Sequence, residues 1–303
     1  MSAIEDAEMV NEETPHDFIE DLKRSVEKGL PTSSYIVGEV IKTIYDESSS
    51  ANELAEIIER DPPLTAKILK IANSTYYGSS KRITSLQRAV VTLGFATIKE
   101  LVTTMAIVHS FFKTDSTAGV DRTGLWLHSV GTAKASQIIS VQTGITRPDI
   151  TYTIGLLHDI GKIVLALSFP DIYRKVIEYT QEKNVRIIQA EHAVLNINHC
   201  MIGKILCSIW ELPETLSTAI LYHHNPLDIP DGDSNLAKII HIGDQMCRKA
   251  EIGNPGDTFK FDPEPGALEI LGDSAKVASE TYDGMINKLL GEKEEIEGFF
   301  SGL

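Results

Sequence analysis

The 303-residue sequence predicts an all-α fold. Three observations carry that expectation. Apolar residues recur at three- and four-residue spacing along most of the chain. Pro148, Pro170, Pro213 and Pro226 fall between or just after such segments. No run shows sustained apolar–polar alternation.

The elements follow in order. Residues 1–15 are polar and acidic and read as a disordered lead; they lack the apolar stretch of a secretory signal. Segment 17–28 sets Phe18, Ile19, Leu22 and Val26 on one helical face, with Gly29 placed to stop it. After Leu30-Pro31, Ile36, Val37, Val40, Ile41 and Ile44 define the next helix. Ser50 followed by Glu53 has the spacing of a capping box for a helix bearing Leu54, Ile57 and Ile58, which Asp61-Pro62-Pro63 ends. Leu64, Ile68, Leu69 and Ile71 form a further face, and Asn73-Ser74 reads as its end cap. The stretch 85–112 is helical with a break at Gly94.

Polar, glycine-containing 113–124 is the expected subdomain boundary. Helices are then expected at 125–141, 151–169, 171–183, 188–195, 198–210, 214–224 and 235–250, with a weak hairpin signal at 184–188. A loop over 251–265 precedes one last helix over 274–298. The organisation is thus a lead (1–15), an N-terminal helical unit (16–115), a second helical unit (116–250) and a C-terminal loop and helix (251–303).

Composition narrows the function. A net charge of −15 repels phosphate backbones and argues against a nucleic-acid polymer as partner. A small phosphorylated ligand at a metal stays compatible, because the ion supplies positive charge locally. The three cysteines, Cys200, Cys207 and Cys247, form no C-x-x-C pair and read as buried free thiols of a reducing compartment. No apolar run is expected to reach membrane-spanning length, so the chain is expected to be cytoplasmic, with no membrane partner.

The chemistry concentrates in the second half. The 151–169 segment, TYTIGLLHDIGKIVLALSF, is apolar nearly all round and is expected to be buried, yet carries His158 and Asp159 in its middle. A buried carboxylate needs a pair or a metal; taken alone, a His–Asp hydrogen bond explains it. Four further segments each place ligand-type residues among apolar neighbours: His128, His199, His223-His224 and Asp244. Imidazole and carboxylate together suit Zn, Fe, Mn or Ni. Lys162, a turn beyond His158, is placed either to meet a substrate phosphate or to snorkel to solvent. His192, after Glu191, has no place in this pattern, and His241 lies one turn before Asp244; both are minor candidates for touching the site, while His16 and His109 read as surface or satisfied residues.

The order His128, His158-Asp159, His199, His223-His224, Asp244 resembles the H…HD…H…HH…D pattern of the HD superfamily, especially its dinuclear HD-GYP branch. LLHDIGK, with Gly161 and Lys162, is similar to the motif that names the superfamily, and His199 with Gly203 to an H-x-x-x-G step. The segments LPTSSYIVGEVIKTI, ERDPPLTAKILKIANSTYYG, ITSLQRAVVTLGFATIKEL and HCMIGKILCSIWELPETLSTAILYHHNP resemble HDOD domains, over roughly 17–250.

These resemblances imply an HDOD-type bundle packed on an HD-type bundle. They imply two divalent transition metals, Fe or Mn, with Zn or Ni as alternatives. His128, His158, Asp159 and Asp244 would hold one ion, and His199, His223 and His224 the other, with Asp159 bridging. Asp159 and Lys162 are the candidate catalytic residues. HDOD proteins are regulatory modules of bacterial signalling, which implies a signalling partner. The alternatives are an active phosphohydrolase on nucleotides or cyclic dinucleotides, and a di-iron oxygenase. After His223-His224 the chain reads NPLDIPDG, a departure from the HD-GYP signature that argues against cyclic-di-GMP hydrolysis. The N-terminal bundle is available to cover the mouth of the site.

Overall fold

The computed structural model describes residues 20, 33–73, 83–111, 121–230 and 232–301, and it is helical throughout, with no strand among them. The expected lead at 1–15, the helix at 17–28 apart from Glu20, His16, Ser74 and most of the 113–124 boundary lie outside the described residues.

The first half comprises α1 (Ser33–Tyr45), α2 (Ala51–Glu59), α3 (Pro62–Ala72), α4 (Leu86–Leu93) and α5 (Phe95–Phe111). Their local signals act as expected. Ser50 accepts from the Glu53 amide while Glu53 accepts from the Ser50 amide, closing the capping box. Asp61 caps α3, whose first residue is Pro62, so the diproline opens one helix as it ends another. Gly94, at φ +86°, separates α4 from α5. Asn73 caps α3 and also exchanges two hydrogen bonds with the backbone of Ile83, at 2.7 and 2.8 Å, tying the two ends of the intervening segment together.

The second half is built on α6 (Arg122–Thr143), α7 (Pro148–Leu157), α8 (Ile160–Ser168), α9 (Pro170–Lys183), α10 (Ile187–Leu195), α11 (His199–Ile209), α12 (Glu214–Tyr222) and α13 (Asn235–Lys249). Helix α6 packs against α7 and α13, α11 against α8 and α12, and α9 against α10; α7 also meets α1 and α5 of the first half. The core is continuous between the halves and includes Ile41, Leu101, Trp126, Ile139, Leu157 and Leu206.

Four expectations are corrected. The 151–169 segment is two helices, α7 and α8, interrupted at His158-Asp159. No hairpin forms at 184–188: Asn184, in the left-handed region, caps α9, and α10 begins at Ile187. One terminal helix is replaced by α14 (Pro265–Leu268), a 3-10 turn (Glu269–Leu271), α15 (Ala275–Gly291) and α16 (Lys293–Ser301), with Glu292 closing α15 through the carbonyls of Leu289 and Leu290. Helices α15 and α16 pack on α6. Finally, 148–168 is long and apolar enough to cross a membrane by length and composition, contrary to expectation; here 94% of that window is buried inside the fold.

Candidate metal centre

Six helices deliver the polar side chains of the second half to one place. His128 sits within α6, His199 begins α11 and Asp244 lies within α13. His158 and Asp159 occupy the break between α7 and α8, and His223-His224 follow the last residue of α12. The two helix ends use the same local device. His158 Nδ1 meets the Gly155 carbonyl at 2.7 Å, and His223 Nδ1 meets that of Ile220 at 2.7 Å. Each imidazole thereby satisfies a carbonyl left without a helical donor. With the proton on Nδ1, the Nε2 lone pair is aimed into the cluster.

Asp159 is the hub. Its Oδ2 lies 3.3 Å from His158 Nε2 and 3.9 Å from His128 Nε2. Its Oδ1 lies 3.3 Å from His199 Nε2 and 3.9 Å from His223 Nε2. Asp244 Oδ1 is 2.9 Å from His128 Nε2, and His224 Nε2 is 3.1 Å from His199 Nε2. All seven side chains are buried. His158 Nε2, His223 Nε2 and Asp159 Oδ1 have no hydrogen-bond partner. Each buried polar atom left in this state costs about 1–3 kcal/mol. Several acceptors converging on a shared volume fit divalent cations, which satisfy them together.

The electrostatics agree with that donor set. Burial pushes His128, His223 and His224 below the usual histidine range, which leaves neutral imidazoles, the form that ligates metal. Burial alone would raise the Asp159 carboxyl, but His158, Lys162 and His199 outweigh it and hold the group well below the usual carboxylate range. Burial likewise opposes ionisation of Asp244, and the Arg248 guanidinium with His128 overcomes it.

An outer layer fixes these groups. Glu191 is fully buried and accepts both the backbone N–H of His199, at 2.9 Å, and its Nδ1–H, at 2.6 Å. Tyr173 donates to the other oxygen of Glu191, at 3.2 Å. Arg248 binds Asp244 through Nε, at 2.9 Å, and Asp257 through Nη1, at 2.6 Å. His241 meets the His223 carbonyl at 2.9 Å and accepts from the Glu264 amide.

Lys162 is neither at a solvent-facing surface nor free. It is 1% exposed, its ammonium donating to Asp159 Oδ2 at 2.7 Å and to the Pro255 carbonyl at 3.0 Å. The snorkelling alternative is thereby corrected: a buried ammonium requires such partners. Segment 253–257 lies against the Lys162 side of the site. The Asn254 amide donates to the Gly124 carbonyl at 2.7 Å, and Asp257 joins Arg248 and the Ile187 amide. Gly253, at φ +67°, lies so close to α6 that a Cβ there would fall 2.2 Å from His128 N. Beside Lys162 is a cavity of about 100 Å³ that Tyr173, Gln181, Asn254 and Gly256 also line.

The structure therefore brings together His128, His158, Asp159, His199, His223, His224 and Asp244. His192 instead pairs with Asn198 at 2.9 Å, and the side chain of His109 lies outside those described. Sequence reasoning missed Glu191, Tyr173, Arg248 and Asp257. Glu191 stands eight residues before His199, and Arg248 one helical turn after Asp244; that last spacing was the available signal.

Comparison with known proteins places the fold. The HDOD domain family matches residues 30–226. An HDOD domain protein of unknown function from Geobacter sulfurreducens is 27% identical, with a TM-score of 0.73 over 91% of this chain and 97% of that one. A candidate signal transduction protein from Marinobacter aquaeolei VT8, 22% identical, shares the fold at a TM-score of 0.74, covering 97% of this chain and 68% of that one. An uncharacterized protein of Treponema pallidum (strain Nichols) is 25% identical over 212 residues, 69% of this chain; the chain spans 40% of that relative's length. The match over residues 30–226 takes in six of the seven cluster residues, all but Asp244, and it gives one assignment: the chain belongs to the HDOD domain family.

Proposed function

We propose that the chain is a regulatory HDOD signalling module whose buried centre holds two divalent transition-metal ions, Fe or Mn, with Zn or Ni as alternatives. The observation that carries this reading is the two-sidedness of Asp159: one carboxylate oxygen faces His128 and His158, the other faces His199 and His223. His128, His158, Asp159 and Asp244 would hold one ion; His199, His223, His224 and Asp159 the other. Such a pair supplies Lewis acidity toward phosphate oxygens or water. In this reading residues 16–115 and 116–250 are separate subdomains, and a signalling protein reads the state of the second.

Binding is favoured over turnover by what the chain's own groups do. Lys162 is committed to Asp159 and Pro255. The amides of Asn225 and Asp228 donate within the turn after His224, to Tyr222 and Asn225, so they are not directed at a ligand. The cavity beside Lys162, about 100 Å³, is small against the roughly 300–1,000 Å³ of sites for larger ligands. A small phosphorylated group fits that space better than a cyclic dinucleotide.

A steady-state assay tests this. Protein reconstituted with Mn or Fe is expected to show no measurable hydrolysis of cyclic-di-GMP. Turnover on the order of 1 per second or more, abolished by Asp159→Ala, would move the protein into the phosphohydrolases.

A further inference from the structure

The two halves of the cluster are backed by groups of opposite charge. Behind His199 stands Glu191, a buried carboxylate accepting three hydrogen bonds: the His199 amide, the His199 Nδ1–H and the Tyr173 hydroxyl. Behind Asp244 stands the Arg248 guanidinium, and on Asp159 Oδ2 the Lys162 ammonium. The equivalent Nδ1 atoms of His158 and His223 meet neutral backbone carbonyls. His199 is thus the cluster imidazole whose Nδ1 bonds a carboxylate among the described residues.

Resting on the metal-binding reading above, we propose that Glu191 is a positioning residue that makes the His199–His223–His224 half the tighter metal position, so that the two ions load in sequence with this half first. The physical chain is short. Glu191 fixes the Nδ1–H tautomer of His199, which leaves Nε2 with its lone pair facing Asp159 Oδ1 and His224. Its negative charge, in surroundings that exclude water, increases the electron density that His199 offers a cation. Two bonds from one oxygen of Glu191, to the backbone and the ring of one residue, also hold the ring's orientation. On the other side the same electrostatics run in reverse. A cation entering the His128–His158–Asp244 half meets the field of Arg248, which is itself held by Asp257, and displaces or confronts Lys162 at Asp159 Oδ2. Both oxygens there are shared with a resident positive charge, which lowers their net attraction for an ion.

Metal-free protein titrated with Mn²⁺ or Co²⁺ in a calorimeter, with the Co²⁺ absorption spectrum followed in parallel, reads the two steps separately. Wild type is expected to bind in two resolved steps. Glu191→Gln keeps an acceptor for Nδ1–H but removes the charge, and is expected to weaken the first step by about 10- to 100-fold while the second moves far less. Glu191→Asp restores the charge and recovers part of the loss. Tyr173→Phe takes one hydrogen bond from Glu191, leaves more of its charge for His199, and does not weaken the first step. Wild type that binds no ion overturns the metal reading itself. Wild type that binds two ions, with Glu191→Gln leaving both steps unchanged or weakening both equally, overturns this inference alone. Equal loss in Glu191→Gln and Tyr173→Phe also overturns it, since that marks a packing role. If Glu191→Gln does not fold, the Glu191→Asp and Tyr173→Phe titrations decide on the same criteria.

Discussion

Removing metal with a chelator lowers the melting temperature of the wild-type chain by roughly 10 °C, and leaves that of Asp159→Asn where it was. The expectation follows from linkage. An ion that binds only the folded state stabilises it by about 4 kcal/mol when its free concentration is about a thousand times Kd. At about 2.1 cal/mol/K of unfolding entropy per residue, each kcal/mol corresponds to roughly 1.5 °C in a 303-residue chain, so two such ions together give a shift on the order of 10 °C. Asp159 supplies an oxygen to each half of the cluster, so the amide variant weakens both positions together. The variant also carries a cost of its own. The amide leaves the buried Lys162 ammonium without the carboxylate that it contacts at 2.7 Å, and breaking a buried pair costs about 3–5 kcal/mol. The comparison that matters is therefore each protein with and without chelator, by calorimetry. A wild-type melt unmoved by complete metal removal contradicts the account.

Gly161→Ala is expected to destabilise the chain by about 3 kcal/mol or more, at the upper end of what an inserted methyl group does in a packed core. Gly161 lies in the first turn of α8, where the backbone of α11 crosses. A Cβ on Gly161 would stand 2.0 Å from the His199 carbonyl oxygen and 2.8 Å from its carbonyl carbon. Backbone cannot swing aside as a side chain can, so α8 and α11 must separate, and His199 moves with α11. Gly284→Ala, within α15, is the control: nothing lies within 4 Å of its would-be Cβ. There alanine is expected to add about 0.5–1 kcal/mol. Urea melts of both variants check the pair. A Gly161→Ala protein within about 0.5 kcal/mol of wild type would mean that the crossing is looser than described.

The sequence made the site legible because burial and charge conflict there. His158-Asp159 within an apolar segment, and His128, His199, His223-His224 and Asp244 among apolar neighbours, are costly unless they meet. Pattern reading captured the helical periods and the boundaries that carry local chemistry, such as Ser50–Glu53 and Gly94. It failed where the boundary is made by the site. The break between α7 and α8 contains no proline or glycine. It arises from the His158 side chain binding the Gly155 carbonyl and the Lys162 amide turning back to the Asp159 carbonyl, and neither contact alters the hydrophobic period. The same holds at α12, expected to include His223 and His224 but ended at Tyr222 by the same device. The outer layer was invisible for another reason. Tyr173 meets Glu191 where α9 packs on α10, Glu191 meets His199 across the connection between α10 and α11, and Asp257 meets Arg248 through a loop; no spacing rule links such positions. The fate of Lys162 was also out of reach, since periodicity places a residue on a helix face but does not say which loop closes over it.

The central claim is that one cluster of seven side chains holds two ions astride Asp159. Anomalous diffraction from crystals grown with Mn²⁺, recorded at more than one wavelength to identify the element, tests it most directly. The account predicts two peaks within the cluster, one on the His128–His158–Asp244 side of the Asp159 carboxylate and one on the His199–His223–His224 side, each about 2.0–2.3 Å from its ligand atoms. A map with no anomalous peak inside the cluster, from protein saturated with metal in solution, would contradict it.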